Sequence, residues 1–257
     1  MTAAISSLSA GNVSLIVGDE DEKGYMPRYK AVQKLDDKLT PGAMKALYTF
    51  LHKDIKTEKM KRLEINAIKN DIIVKMMDQK KHPVDLAGHL VDLYYDKNMD
   101  STIRDYALQF MGQWLPRVSD KDDRTAVIKA LFDAMDEKKL SNPGTALIAL
   151  KSCVNEPDVD AKRVRDAAYS LVVDENATDM IKTTALQIAA SLGHPKVVDV
   201  ARDIVVNSRT AQLRMSAMAT IGIAGNKSDL ELLKKYENSS DIRLRLAAKS
   251  AIKKLNK

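Results

Sequence analysis

Three stretches of the C-terminal half align without gaps when an alanine is taken as the origin. They are 179–193 around Ala185, 210–225 around Ala217 and 241–255 around Ala248. Four positions before the alanine stands an apolar residue: Ile181, Leu213 or Leu244. A base follows at once: Lys182, Arg214 or Arg245. Four positions after the alanine come Ala189, Ile221 and Ile252, and at +7 Leu192, Ala224 and Leu255. Apolar groups at −4, 0, +4 and +7 fall on one stripe of an α-helix. The small anchor lets a neighbouring helix come close.

The frame extends back through the chain. Its anchors are Ala31, Ala67, Ala107, Ala146, Ala185, Ala217 and Ala248, spaced 36, 40, 39, 39, 32 and 31 residues apart. Amphipathic segments at 43–51, 84–95, 124–136, 164–173, 196–207 and 228–236 precede the later anchors. Repeats of this length mark stacked helix pairs. Thr40 and Pro41 read as a cap and a first helical position, and Pro116 as a stop. The unit around Ala67 is degenerate, with Glu64 in place of the base and Asp71 at +4. The unit around Ala146 has lost its base to Pro143. No strand pattern of useful length is present.

The predicted architecture is therefore all-α, a solenoid of about six to seven stacked antiparallel helix pairs. An N-terminal segment, 1–24, is partly irregular or a short helix, and the acidic run Asp19–Glu22 reads as a solvated linker. A single solenoid over 25–257 follows, ending in a cap helix. Val32, Ile68, Leu108, Leu147, Leu186 and Met218 fill the +1 positions, but the last unit has Lys249 there. A terminal repeat has no successor to cover that side, so the polar residue predicts an exposed end.

Asp241, Leu244, Arg245, Ala248, Ala251, Ile252 and Leu255 resemble the second helix of a HEAT-type, armadillo-like repeat in its short bacterial form, similar to the repeats of phycobilin-lyase subunits. Asp100, Ile103, Arg104, Ala107 and Met111 match the pattern less fully. The resemblance covers about 26–257 and implies a right-handed superhelix of antiparallel helix pairs. It implies binding scaffolds more than any one activity. The bases of the −3 column, Arg28, Arg104, Lys182, Arg214 and Arg245, are expected to reach an aspartate in the adjacent repeat's loop. Such pairs are worth about 0.5–1 kcal/mol when partly exposed.

Composition narrows the function. The 257 residues carry 41 bases against 35 acids, a net charge of +6 that favours solubility more than a dedicated polyanion site. Lys53, Lys56, Lys59, Lys61 and Arg62 surround one loop, and Lys249, Lys253, Lys254 and Lys257 crowd the last helix, but no aromatic residues interleave them. Cys153, the only cysteine, excludes an intramolecular disulfide and any multi-cysteine metal site. With Trp114 it falls at +7 and is expected in the core. His82 and His89 stand seven apart with Pro83 between, a poor metal spacing. His194 reads as part of a helix stop, and residues 222–228 lack the full spacing of a phosphate loop.

No catalytic, cofactor-binding or metal-binding residue emerges, and no cofactor is expected. The reading is a non-enzymatic, monomeric protein-binding scaffold, cytoplasmic as written and exported only if a leader was removed. The alternative is a nucleic-acid-binding or modifying HEAT-repeat protein, or a subunit of a lyase-type enzyme. Second helices line the concave side of such stacks. Their +2 positions, Gln33, Lys69, Gln109, Ile148, Gln187, Ala219 and Ser250, lie off the apolar stripe. Lys69, Gln109, Lys151 and Gln187 are the candidate face for a protein or peptide ligand.

Overall fold

The computed structural model describes residues 2–18, 24–138 and 140–256, and the acidic run at 19–22 lies outside them. The described residues form 14 α-helices and no strand. They divide into two compact units, Met1–Ala130 and Leu131–Lys257. The first contains α1 (Thr2–Val17), α2 (Tyr25–Gln33), α3 (Pro41–His52), α4 (Arg62–Met77), α5 (Leu86–Tyr95), α6 (Ser101–Trp114) and most of α7 (Lys121–Asp133). The second contains α8 (Asn142–Ser152), α9 (Ala161–Val173), α10 (Asp179–Ser191), α11 (Val197–Asn207), α12 (Ala211–Ala224), α13 (Leu230–Lys234) and α14 (Ile242–Leu255).

Pairing follows the repeat. In the first unit α1 packs on α2, α3 on α4 and α5 on α6, while α2, α4 and α6 stack in succession. In the second, α9, α11 and α13 pack on α10, α12 and α14, and α8, α10, α12 and α14 stack. The helices start where short polar side chains satisfy free backbone amides. Thr40 accepts from Ala43 N at 3.2 Å, and Asp100, Asp160 and Asp241 each accept from the amide two residues on. Helix α10 ends at Gly193, whose φ of 71° is left-handed, and the His194 amide returns to Ala189 O at 2.9 Å.

Six of the seven proposed anchors are buried: Ala31, Ala107, Ala146, Ala185, Ala217 and Ala248. Ala67 is only half-buried, because α4 sits in a different register. Of its eight buried residues, Ile65, Asn66, Lys69, Ile72, Ile73 and Met76 match Ile103, Arg104, Ala107, Phe110, Met111 and Trp114 of α6, while Ile68 and Met77 do not. The anchor of this unit is Lys69, which stands 38 residues after Ala31 and 38 before Ala107. The spacings 36 and 40 become two equal steps. Bonds between successive pairs keep the same interval: Gln33 donates to Asp71 at 3.0 Å, and Arg62 to Asp100 at 3.0 Å.

The +1 column is buried at Val32, Leu108, Leu147, Leu186 and Met218, while Lys249 is exposed. The +7 column is less uniform than the pattern suggests. Trp114 and Cys153 are buried, but Leu192 and Leu255 are half-buried and Ala224 is exposed.

The basic column works differently from the aspartate pairing expected of it. Its guanidinium groups turn back to the first helix of their own pair. Arg28 donates to Ile16 O and, at 3.2 Å, to Gly18 O, at the end of α1. Arg104 Nε donates to Tyr94 O at 2.7 Å, at the end of α5. Arg214 donates to Ser208 O at 2.6 Å and Val206 O at 3.2 Å, at the end of α11. Arg245 donates to Ser239 O at 2.9 Å, in the connection after α13. The last carbonyls of a helix lack internal partners and carry its negative dipole end, so a cation there outcompetes a more distant carboxylate. The aspartates are used by other donors: Arg62 and Asn66 both reach Asp100, and Thr210 reaches Asp179 at 2.7 Å.

Close helix contact in the second unit depends on small residues. A Cβ added at Gly222 on α12 would stand 2.9 Å from Ala251 Cα on α14. Ala217 is fully buried on the same helix. Ala217→Leu is expected to overpack this helix and destabilise the protein by about 1–3 kcal/mol, read as a lower denaturant midpoint. An unchanged midpoint would overturn the anchor assignment.

Candidate functional site

The four residues of the expected face do not share one environment. Gln109 on α6 and Gln187 on α10 are exposed, and Lys151 on α8 is half-buried. Lys151 and Gln187 stand on helices that pack together. Lys69 is only 2 % exposed and does not belong to a surface. It is an anchor, and its ammonium donates to Lys53 O, just after α3, at 2.7 Å. Ile55 and Met60 are buried in the connection that follows, and Met99 Sδ lies 3.5 Å from the amine. In this pair Asn66 occupies the −3 position and bonds Asp100 instead, so Lys69 supplies the cation that caps α3. Burial pushes the Lys69 ammonium down to about 8. With the register corrected, the +2 residue of α4 is Asp71, the acceptor for Gln33.

A deep concavity of the first unit lies on its first helices. It is a groove of about 1420 Å³ lined by α3, α5 and the connection between α4 and α5. The two helices touch only sparsely. Gln79 holds the near end in shape. Its side chain accepts from Leu39 N at 2.7 Å and donates to Asp36 O at 2.9 Å and Lys75 O at 3.0 Å. Leu39, Pro41, Met44, Tyr48, Pro83 and Val84 supply the apolar lining.

Two histidines meet in the groove. His52 Nε2 lies 3.0 Å from His89 Nδ1, so one ring donates and the other accepts. The His89 ring stacks on Tyr48 at 3.8 Å. Both imidazoles are held below their ordinary value, chiefly by burial. For His52 the neighbouring His89 adds to the effect, while Asp92 pulls each back up. Tyr48 is 5 % exposed, and its hydroxyl is buried with no hydrogen-bond partner. Leaving such a group unpaired costs about 1–3 kcal/mol. Burial pushes this phenol well above its usual range, so it remains a donor at any ordinary pH.

The spacing of His82 and His89 offered only a poor metal pattern, and the fold brings His52, not His82, to His89. A signal for this existed: 52 and 89 are 37 residues apart, one repeat within a residue. His82 instead sets its ring edge-on to Trp114, centroids 5.4 Å apart. His194 stacks on Tyr169 at 3.8 Å, and Cys153 is buried. Among the described residues no group of three His, Cys, Asp or Glu side chains is placed to hold a metal ion. No helix among them is long and apolar enough to cross a membrane.

No family model matches the chain, and no curated protein matches its sequence. Among solved structures it is similar to human deoxyhypusine hydroxylase, at 12% identity and a TM-score of 0.45, over 99% of this chain and 98% of that one. It is similar to a designed armadillo repeat protein at 14% identity and a TM-score of 0.44, over 82% of this chain and 98% of that one. It is similar to an engineered protein at 15% identity and a TM-score of 0.47, over 99% and 73% of the two chains. The helix pairing described above makes the chain an all-helical protein of stacked helix pairs.

Two pH responses follow from the buried cations and imidazoles. A depressed lysine favours its neutral form in the fold, so stability rises with pH between about 8 and its unfolded value. Between pH 7 and 9.5 the native protein is expected to gain about 1–2 kcal/mol relative to Lys69→Met, measured by urea unfolding. A constant difference would place the amine in water. The depressed histidines likewise favour their neutral forms. Their contribution is complete above about 6.5 and is lost as the pH falls from there through the folded values. The native protein should therefore lose more stability from pH 7.5 to 5 than the His52→Asn/His89→Asn double variant, and parallel losses would disprove the shared burial.

Proposed function

We propose that this chain is a non-enzymatic binding module in which stacked helix pairs hold a protein or peptide ligand along the exposed side of the second helices. The supporting observation is the exposure of most of the +2 column, in which only Asp71 and Ala219 are half-buried. Gln33, Gln109, Ile148, Gln187 and Ser250 all stand in solvent, and Ile148 is 59 % exposed. Gln109 and Gln187 each both donate and accept without requiring a buried charge to be paired. Lys151 lies nearly one turn beyond Ile148 on α8, adding a cation beside an apolar contact. A helix face of amides and a large aliphatic side chain suits an extended or looped segment, whose backbone offers both donors and acceptors.

Alanine at Lys151 and Gln187 together, on the packed helices α8 and α10, tests this reading in a pull-down from the native host. Both side chains reach solvent, so the helical circular dichroism and unfolding midpoint should remain. Retention of the captured partner is expected to fall about ten-fold or more. A variant that folds and holds every partner at the same salt concentration would refute the assignment.

A further inference from the structure

We propose that the groove between α3 and α5 is a second, separate binding site, for an amphipathic carboxylate: an apolar body carrying a single negative charge. It lies in Met1–Ala130 on the first helices, and it rests on different residues from the second-helix face.

Three features converge on that chemistry. The first is the apolar floor, in which Met44 and Tyr48 lie one turn apart on α3 and face Pro83 and Val84 across the groove. Val84 is 75 % exposed, an aliphatic side chain of the groove left in water. The second is the Tyr48 hydroxyl, a buried donor that nothing in the protein accepts from. Among the described residues of this unit it is the one buried side-chain nitrogen or oxygen without a partner, and Gln79, which also lines the groove, is used by Asp36, Leu39 and Lys75. An acceptor oxygen arriving with a ligand would complete the site.

The third feature is charge. Lys38, Lys45, Lys53, Lys80 and Lys81 line the groove, and Asp85 is the one carboxylate among its described lining residues. Lys80 is engaged with Asp37 at 2.7 Å. Lys45 precedes Tyr48 by three residues, on the same side of α3, so its ammonium and the phenol can serve one ligand end. No arginine lines the groove to offer the planar fork that grips a phosphate at two points. One hydroxyl donor and dispersed ammonium groups suit a monoanion. The volume exceeds the roughly 300–1,000 Å³ of most small-molecule pockets, leaving room for an extended apolar body.

The protein contains its own reporter. Trp114 is its only tryptophan and is buried with its ring against His82, which lines the groove. Decanoate, decylammonium and 1-decanol would be titrated separately into the full chain, following tryptophan emission and heat of binding. Saturable one-to-one binding of decanoate is expected, with decylammonium and decanol at least about ten-fold weaker. Tyr48→Phe keeps the ring that stacks on His89 and should weaken decanoate about ten-fold. Lys45→Glu, at an exposed position, should weaken it further and leave the unfolding midpoint in place. The proposal is overturned if decanoate shows no saturable binding below about 1 mM. It is also overturned if decylammonium binds as tightly, or if both variants bind decanoate like the parent. None of these outcomes bears on the second-helix face, whose own variant leaves the groove untouched.

Discussion

The last carbonyls of an α-helix cannot be satisfied from within the helix, and in this protein a cation on the following helix satisfies them. Arg28, Lys69 and Arg104 do this in the first unit and Arg214 in the second, while Arg245 reaches Ser239 O in the connection after α13. Each contact fixes how far the second helix of a pair slides along the first, since the fork or ammonium must meet particular carbonyl oxygens. Hydrogen bonds to charged groups are worth about 1.5–3 kcal/mol, more than the neutral bonds around them. The burial of Arg28 and Arg104 is tolerable for the same reason. Their charges meet carbonyl oxygens at one end and aromatic faces at the side, Phe50 at 5.9 Å and Tyr94 at 5.2 Å.

Once the pairs are held in this way, the stack is left to small and apolar residues. Ala146, Ala185, Ala217 and Ala248 are buried without exception in the second unit, and Gly222 and Ala251 bring α12 and α14 into backbone contact. The first unit is less regular. Its middle pair carries a lysine at the anchor, a long connection at 53–61 and a sparse contact between α3 and α5. The groove with Tyr48, His52 and His89 lies in this irregular part. Regular packing leaves little room for a buried hydroxyl or an imidazole pair, whereas helices that splay apart do.

From α2 onward the existence, order and approximate extent of the helices were legible in the residues, because a 3.6-residue period and a repeat near 39 are properties of the chain itself, whereas the full length of α1 was not. Thr40 announced a helix start through chemistry that acts within a few residues. The exposed +2 glutamines and the exposed Lys249 also follow from the period alone. The tertiary structure decided what depends on partners distant in sequence. It moved the anchor of α4 from Ala67 to Lys69, since only packing shows that a lysine can fill an alanine's place when a carbonyl waits for it. It turned the basic column from aspartates towards helix ends, because a helix terminus has a charge that no residue name displays. It also brought His52 to His89 and left the Tyr48 hydroxyl alone, since both depend on the separation of two helices, a distance encoded by no local pattern.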